Sequence, residues 1–245
     1  MPGRPPRTMK ILEVQSRKRE LRQGWPGRIF YPDGVTRRII SHRRRSAMKR
    51  TTEKEKILLE AERRAYRYEQ EYRDCAQCTL LTIQELLGLE SEEALKAATG
   101  FAGGIGRSSS VCGAFTGGVM ALGLKYGRDL PTMKHPDAEK RLALFREIEE
   151  RLDRLIRRLS DKFVETYGST ICKDIETKLF GRSFDKWNPE ERKEKDRLGG
   201  HDDKCPSVVG NGTRWVAELI LEEEEKEEKE RNGLGHGAET GWLEE

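Results

Sequence analysis

Five cysteines, Cys75, Cys78, Cys112, Cys172 and Cys205, are the residues of this 245-residue chain whose chemistry stands out from a highly charged background. A thiolate is a nucleophile, a redox couple and a soft metal ligand, so four of them acting together can hold an iron–sulfur cluster or a zinc ion, or exchange disulfides. Cys112 lies in the most distinctive stretch, ATGFAGGIGRSSSVCGAFTGGVMALGLKYG, residues 98–127. Gly100, Gly103, Gly104 and Gly106 read as a loop, and Ser108 to Ser110 offer side-chain oxygens to the first N–H groups of a following helix. Cys112 then falls in or beside that helix's first turn, where free N–H groups and the helix dipole favour an anionic sulfur. Gly113 and Gly117, with Ala114 and Ala121, leave one side of the helix nearly bare. A cofactor or another backbone can approach there, and for the glycines alone tight helix packing is the simpler reading.

Cys172 follows Ser169 and Thr170, which can cap a helix, and Cys205 precedes Pro206, which suits a first helical position. Three cysteines are therefore expected at helix starts. Their spacings match no standard zinc finger or ferredoxin pattern, so any shared site must be assembled by the fold. Cys75 and Cys78, in DCAQC, lie on a long predicted helix. No strand precedes this pair as in thioredoxin-like folds, and no histidine follows it, which excludes c-type haem attachment. By itself the pair reads as two packed core cysteines. His201, in GGHDDKC, is a candidate addition to a metal site, although a lone loop histidine is ordinarily exposed. The glycine loop lacks the P-loop lysine and does not complete G-x-G-x-x-G, so no nucleotide is expected; Arg107 could still meet an anion at the helix mouth, although a solvent-facing arginine is the simpler reading.

The elements that must position these thiols are all helical. Apolar residues from Ile57 to Leu86 recur at three- and four-residue steps, which predicts one long helix over 52–87 with Thr52 as its cap and Gly88 just past its end. Ser91 caps a short helix running to Thr99. Residues 137–167 form a second long amphipathic helix with Leu142, Phe145, Ile148, Leu152, Leu155, Ile156, Leu159 and Phe163 as its stripe. Asn188-Pro189 opens a short charged helix. The terminal helix from Cys205 carries Trp215, Leu219 and Ile220 on its apolar face, and the acidic run beyond Leu221 reads as solvated. The expected fold is an all-α helical bundle over residues 48–230, flanked by a disordered basic arm, 1–47, and a flexible tail, 231–245.

At 37% charged and 35% hydrophobic, the composition is lean for a chain packed throughout. The first 50 residues hold 15 Lys+Arg against 3 Asp+Glu, and the rest hold 32 against 40, so the helical part is acidic. The arm's charge could meet phosphates, yet no aromatic platform or recognition fold accompanies it, so nucleic acid is not an expected partner. Met48 also stands as an alternative start. The chain has no secretory apolar region, and its most apolar run, 111–124, falls short of the roughly 20 residues that span a bilayer. The expectation is a cytoplasmic protein with reduced thiols and no membrane partner.

Residues 72–221 resemble the C-GCAxxG-C-C family, described as redox-active proteins, many of them from anaerobic prokaryotes. The resemblance rests on DCAQ at Cys75, GFAGGIGRSSSVCGAFTGGVMALGLKYG around Cys112, GSTICKDI around Cys172 and KCPSVVG at Cys205. This chain has C-G-A-x-x-G from Cys112 to Gly117 where the family name writes G-C-A-x-x-G. The resemblance implies a helical domain in which Cys75, Cys112, Cys172 and Cys205 act together, with Gly113 and Gly117 beside the cofactor and Cys78 outside the set. Their role would be electron transfer or thiol redox chemistry. The family's own likeness to the iron–sulfur part of split-Soret cytochromes points to a cluster, while haem is not carried over. In a thiol version Cys112 is the expected nucleophile. The alternative is zinc, or packed thiols, in a structural module without redox activity. Neither residues nor resemblance identifies the redox partner, an enzymatic activity or the oligomeric state, and a homo-oligomer stays open.

Overall fold

The computed structural model describes residues 34–234, and over these the chain is all-α. Its helices are α1 (Gly34–Tyr72), α2 (Cys75–Leu87), α3 (Glu92–Ala98), α4 (Gly113–Tyr126), α5 (Leu130–Met133), α6 (Ala138–Tyr167), α7 (Cys172–Phe180), α8 (Pro189–Arg197) and α9 (Cys205–Leu234). Extended pairing among the described residues is confined to an isolated antiparallel bridge between Val111 and Ile171. The chain divides into two compact units at Met48, and the site lies in the second. Of the basic arm expected over 1–47, residues 1–33 lie outside the described residues and 34–47 are helical backbone in α1. Of the expected tail, residues 231–234 continue α9 and 235–245 lie outside the described residues.

The single helix expected over 52–87 is two helices. Arg73 takes a left-handed φ of 56°, and Asp74 is the N-cap of α2, its carboxylate accepting from the Gln77 N–H at 3.1 Å. Asp-x-x-Gln is a capping sequence, and the apolar repeat running through it on both sides disguised the break. Gly88 ends α2 with φ 66°, as expected. Ser91, Asp137 and Asn188 cap α3, α6 and α8 with their side chains, and Gly168 ends α6 at φ 84°.

The core forms where α4 packs against α2, α6 and α9. Phe163 of α6 is fully buried and meets Phe115 and Trp215 edge-to-face, at ring-centroid distances of 5.5 and 5.2 Å. Only the C-terminal half of the α6 stripe is covered: Leu155, Leu159 and Phe163 are buried, whereas Leu142 is exposed. The acidic run of α9, expected to be solvated, instead faces the basic side of α6. Arg154 holds the buried Glu223 in a two-pronged contact at 2.8 and 2.8 Å, and Arg158 reaches Glu222 at 2.7 Å.

Candidate functional site

All four cysteines of the expected set stand at the beginning of a helix. The break at Asp74 makes Cys75 the first residue of α2, Cys112 is the N-cap residue of α4, and Cys172 and Cys205 open α7 and α9. The serines beside them have other tasks than capping: Ser108 Oγ donates to the Gly104 carbonyl, and Ser109 Oγ accepts from Lys186 Nζ at 2.6 Å. Ser169 likewise does not cap α7; it accepts from the Ile171 N–H and donates to Asp174.

Two of the thiols are brought together by backbone pairing. Around the Val111–Ile171 bridge, Cys112 N–H donates to the Thr170 carbonyl at 2.8 Å and Cys172 N–H donates to the Ser110 carbonyl at 2.6 Å. Each cysteine directly follows a bridge residue, so both enter their helices side by side. Cys75 is seated by the absence of a side chain opposite it. A Cβ on Gly113 would overlap the Cys75 sulfur, and one on Gly117 would overlap the Ala76 carbonyl oxygen. These glycines, expected beside a cofactor, therefore meet α2 and let it lie against α4.

Cys205 departs from the expectation of a free helix mouth, because a π-helical turn over Gly200–Lys204 runs straight into α9. Pro206 supplies the reason. It has no N–H for the carbonyl four residues back, and its ring would press on that carbonyl in a regular helix; widening the turn relieves both problems. The orphaned Asp202 carbonyl accepts instead from Tyr66 Oη at 3.1 Å and Gln70 Nε2 at 2.6 Å, both on α1.

Cys75, Cys112, Cys172 and Cys205 all line one cavity of about 360 Å³, floored by Ile175, Val208 and Val209. Cys78 does not line it and is buried in the core. Burial is the leading cause that pushes each thiol of the four above its ordinary range, and the neighbouring thiols add to it for Cys75, Cys112 and Cys205. Opposing contributions come from the Gly103 N–H at Cys75 and from the Ala114 and Phe115 N–H groups at Cys112. The latter lie near enough to favour a thiolate without forming a capping hydrogen bond.

Charged groups that the sequence did not single out complete the walls. Glu176 is 2% exposed, and its carboxylate lies 2.8 Å from Lys186 Nζ and 2.9 Å from Lys195 Nζ, both lysines being nine-tenths or more buried. Lys195 opposes the upward push on Cys172 and Cys205, leaving Cys205 at about 11. On the other side stands Glu69 of α1, 1% exposed, with His201 Nδ1 3.2 Å from its Oε1 and its Oε2 without a hydrogen-bond partner. Its charge pushes the Cys75 and Cys78 thiols further up. His201 thus lies on the cavity wall beside a buried carboxylate, and Arg107, although exposed, lines the cavity too.

Among the described residues no group of three or more His, Cys, Asp or Glu side chains is arranged to hold a metal ion. The four thiols line a space within the roughly 300–1,000 Å³ range of small-ligand sites.

No helix among the described residues is long and apolar enough to cross a membrane. No curated protein and no solved structure matches the chain. Residues 73–219, which contain all four helix-start cysteines and the whole glycine loop, match the family described as "Putative redox-active protein (C_GCAxxG_C_C)", and the chain belongs to that family.

Proposed function

We propose that redox activity resides in Cys75, Cys112, Cys172 and Cys205 acting as one centre, as the thiolate ligands of an iron–sulfur cluster in an electron-transfer protein. The observation that carries this reading is the opening of four thiols, from four helices, onto one cavity of about 360 Å³. As free groups these thiols would be protonated at neutral pH and weak nucleophiles, which counts against Cys112 as a free attacking thiol. Ligation to cationic iron reverses that balance, because the metal's charge favours the deprotonated sulfur. A bound cluster supplies one-electron transfer. The chain contributes the surroundings: Lys186 and Lys195 beside Cys172, the Gly103 N–H at Cys75, and the Ala114 and Phe115 N–H groups at Cys112. All favour the more negative state of the centre and so raise its reduction potential.

The test is an anaerobic ultraviolet–visible spectrum of the full chain, with iron, zinc, acid-labile sulfide and free thiols determined on the same sample. Iron with sulfide and a visible charge-transfer band is the expected result. Stoichiometric zinc in colourless protein would replace this reading with a structural one, and metal-free protein whose thiols oxidise reversibly would replace it with dithiol chemistry.

A further inference from the structure

We propose that the mouth of the cysteine cavity binds the oxyanion group of a small anionic substrate, through Arg107 of the glycine loop and Arg192 of α8. The lining is unequally charged: Arg73, Arg107, Lys186, Arg192, Lys193 and Lys195 face Glu69, Glu176 and Asp196. Partnering does not remove the excess. Glu176 serves both buried lysines, and Arg73 lies 3.6 Å from Asp196. Lys193 pairs with Glu190, outside the cavity. Arg107 and Arg192 have no side-chain ion pair or hydrogen bond among the described residues, and both are exposed. Positive charge therefore runs from the buried wall beside Cys172 and Cys205 out to two guanidinium groups without a direct side-chain partner, although Arg107 also acts at longer range on Asp74; their planar forks suit carboxylate, phosphate or sulfate oxygens. Such a funnel also draws anions inward.

The placement of Arg107 is built and not incidental. Residues 103 to 107 all lie in the left-handed region, including Ile105 at φ 57° and Arg107 at φ 65°. Each such non-glycine residue costs about 1–2 kcal/mol. The loop is held closed by backbone hydrogen bonds from Gly106 N–H to the Gly100 carbonyl (2.7 Å) and from Arg107 N–H to the Ala102 carbonyl (2.9 Å). Gly103 is where two of the cations meet. A Cβ there would stand 3.0 Å from Lys186 Cδ and 3.2 Å from Arg107 Cγ, so the two stems flank it. The strained loop thereby places Arg107 on the lining of the cysteine cavity.

This inference rests on the reading of the cavity as a redox centre, whose substrate the anion would be, so binding and cofactor content are measured on the same samples. Inorganic phosphate, and separately glycerol phosphate, are titrated calorimetrically into anaerobic full-length protein against a chloride background of constant ionic strength. The expected result is saturable binding that weakens about tenfold or more in the R107Q/R192Q double variant, from lost charge-assisted hydrogen bonds. The R197Q variant, altered at an exposed α8 residue paired with Glu194 outside the cavity, should keep it. Tighter binding of the ester than of free phosphate would show that the oxyanion is carried on a larger molecule. Iron and sulfide present without saturable binding of either probe would overturn the anion site while leaving the redox reading intact, as would equal affinity in R107Q/R192Q. Saturable, arginine-dependent binding to protein without iron or reversible thiol chemistry would keep the site and remove its redox role.

Discussion

The two walls of the cysteine cavity differ in sign. Cys75 stands toward Glu69, whose charge adds to the cost of ionising its thiol; at Cys172 the Glu176 charge adds to that cost while Lys186 and Lys195 oppose it, and at Cys205 Lys195 is the leading opposing charge against Glu69 and Glu176. Burial alone would treat these thiols nearly alike, so it is the neighbour that decides where negative charge settles. The lysine wall is also the more tightly committed. Two nearly buried ammonium groups share the Glu176 carboxylate, one near each oxygen, whereas Glu69 has a single histidine near one of its oxygens.

The largest effect should come from removing the shared carboxylate. Glu176→Ala leaves two buried lysines uncompensated and should lower unfolding free energy by about 3–5 kcal/mol. Glu69→Gln, read in the same denaturant titration, should cost distinctly less; equal losses would erase the difference between the walls. Next is the seam that brings the walls together. Gly117→Ala pushes a methyl group into the Ala76 carbonyl and should cost about 1–3 kcal/mol or more, whereas Gly123→Ala, on the same helix with open space around it, should be neutral or stabilising by up to about 1 kcal/mol. If both substitutions behave alike, close approach of α2 and α4 is not what those glycines provide.

Smaller effects concern titration. In metal-free protein Lys195→Met should raise the Cys205 thiol above its position near 11 and leave Cys75 unchanged, as followed by the pH dependence of alkylation. The sign for stability follows from the same shift. Cys205 moves from an ordinary 9.0 to about 11 in the fold, so between those values the unfolded chain has released a proton that the folded chain retains. Its contribution is complete below pH 9 and is lost as pH rises toward 11. Tyr167, pushed up to about 12 chiefly by burial, extends the loss in the same direction. Metal-free protein should accordingly weaken on the alkaline side, and an unfolding midpoint flat from pH 8 to 11 would contradict the burial of these groups.

What could be read from the sequence was local. Glycine and proline punctuation, caps and apolar periodicity gave the helix after the glycine loop, the helix from Asp137 and the placement of Cys112 and Cys172 at helix starts. The Asp74 cap was legible in principle, but a 3.6-residue repeat that persists across Arg73 conceals the break. The Val111–Ile171 bridge joins segments far apart in the chain and leaves no local signature. Glu69, Glu176, Lys186 and Lys195 were hidden differently: in a chain with 37% charged residues, nothing in their neighbourhoods sets them apart from solvated side chains. Only the tertiary fold shows that they are buried and which thiols they face. Arg107 was legible as a residue able to meet an anion at a helix mouth, but that it lines the cysteine cavity is visible only in the fold.

The most direct test of the central claim is iron and acid-labile sulfide content in five anaerobically purified single variants of the full chain. Cys75→Ser, Cys112→Ser, Cys172→Ser and Cys205→Ser should each lose most of both, while Cys78→Ser should retain them. Full content in Cys172→Ser together with loss in Cys78→Ser would contradict a centre built from the four helix-start thiols and move it to the Cys75–Cys78 pair.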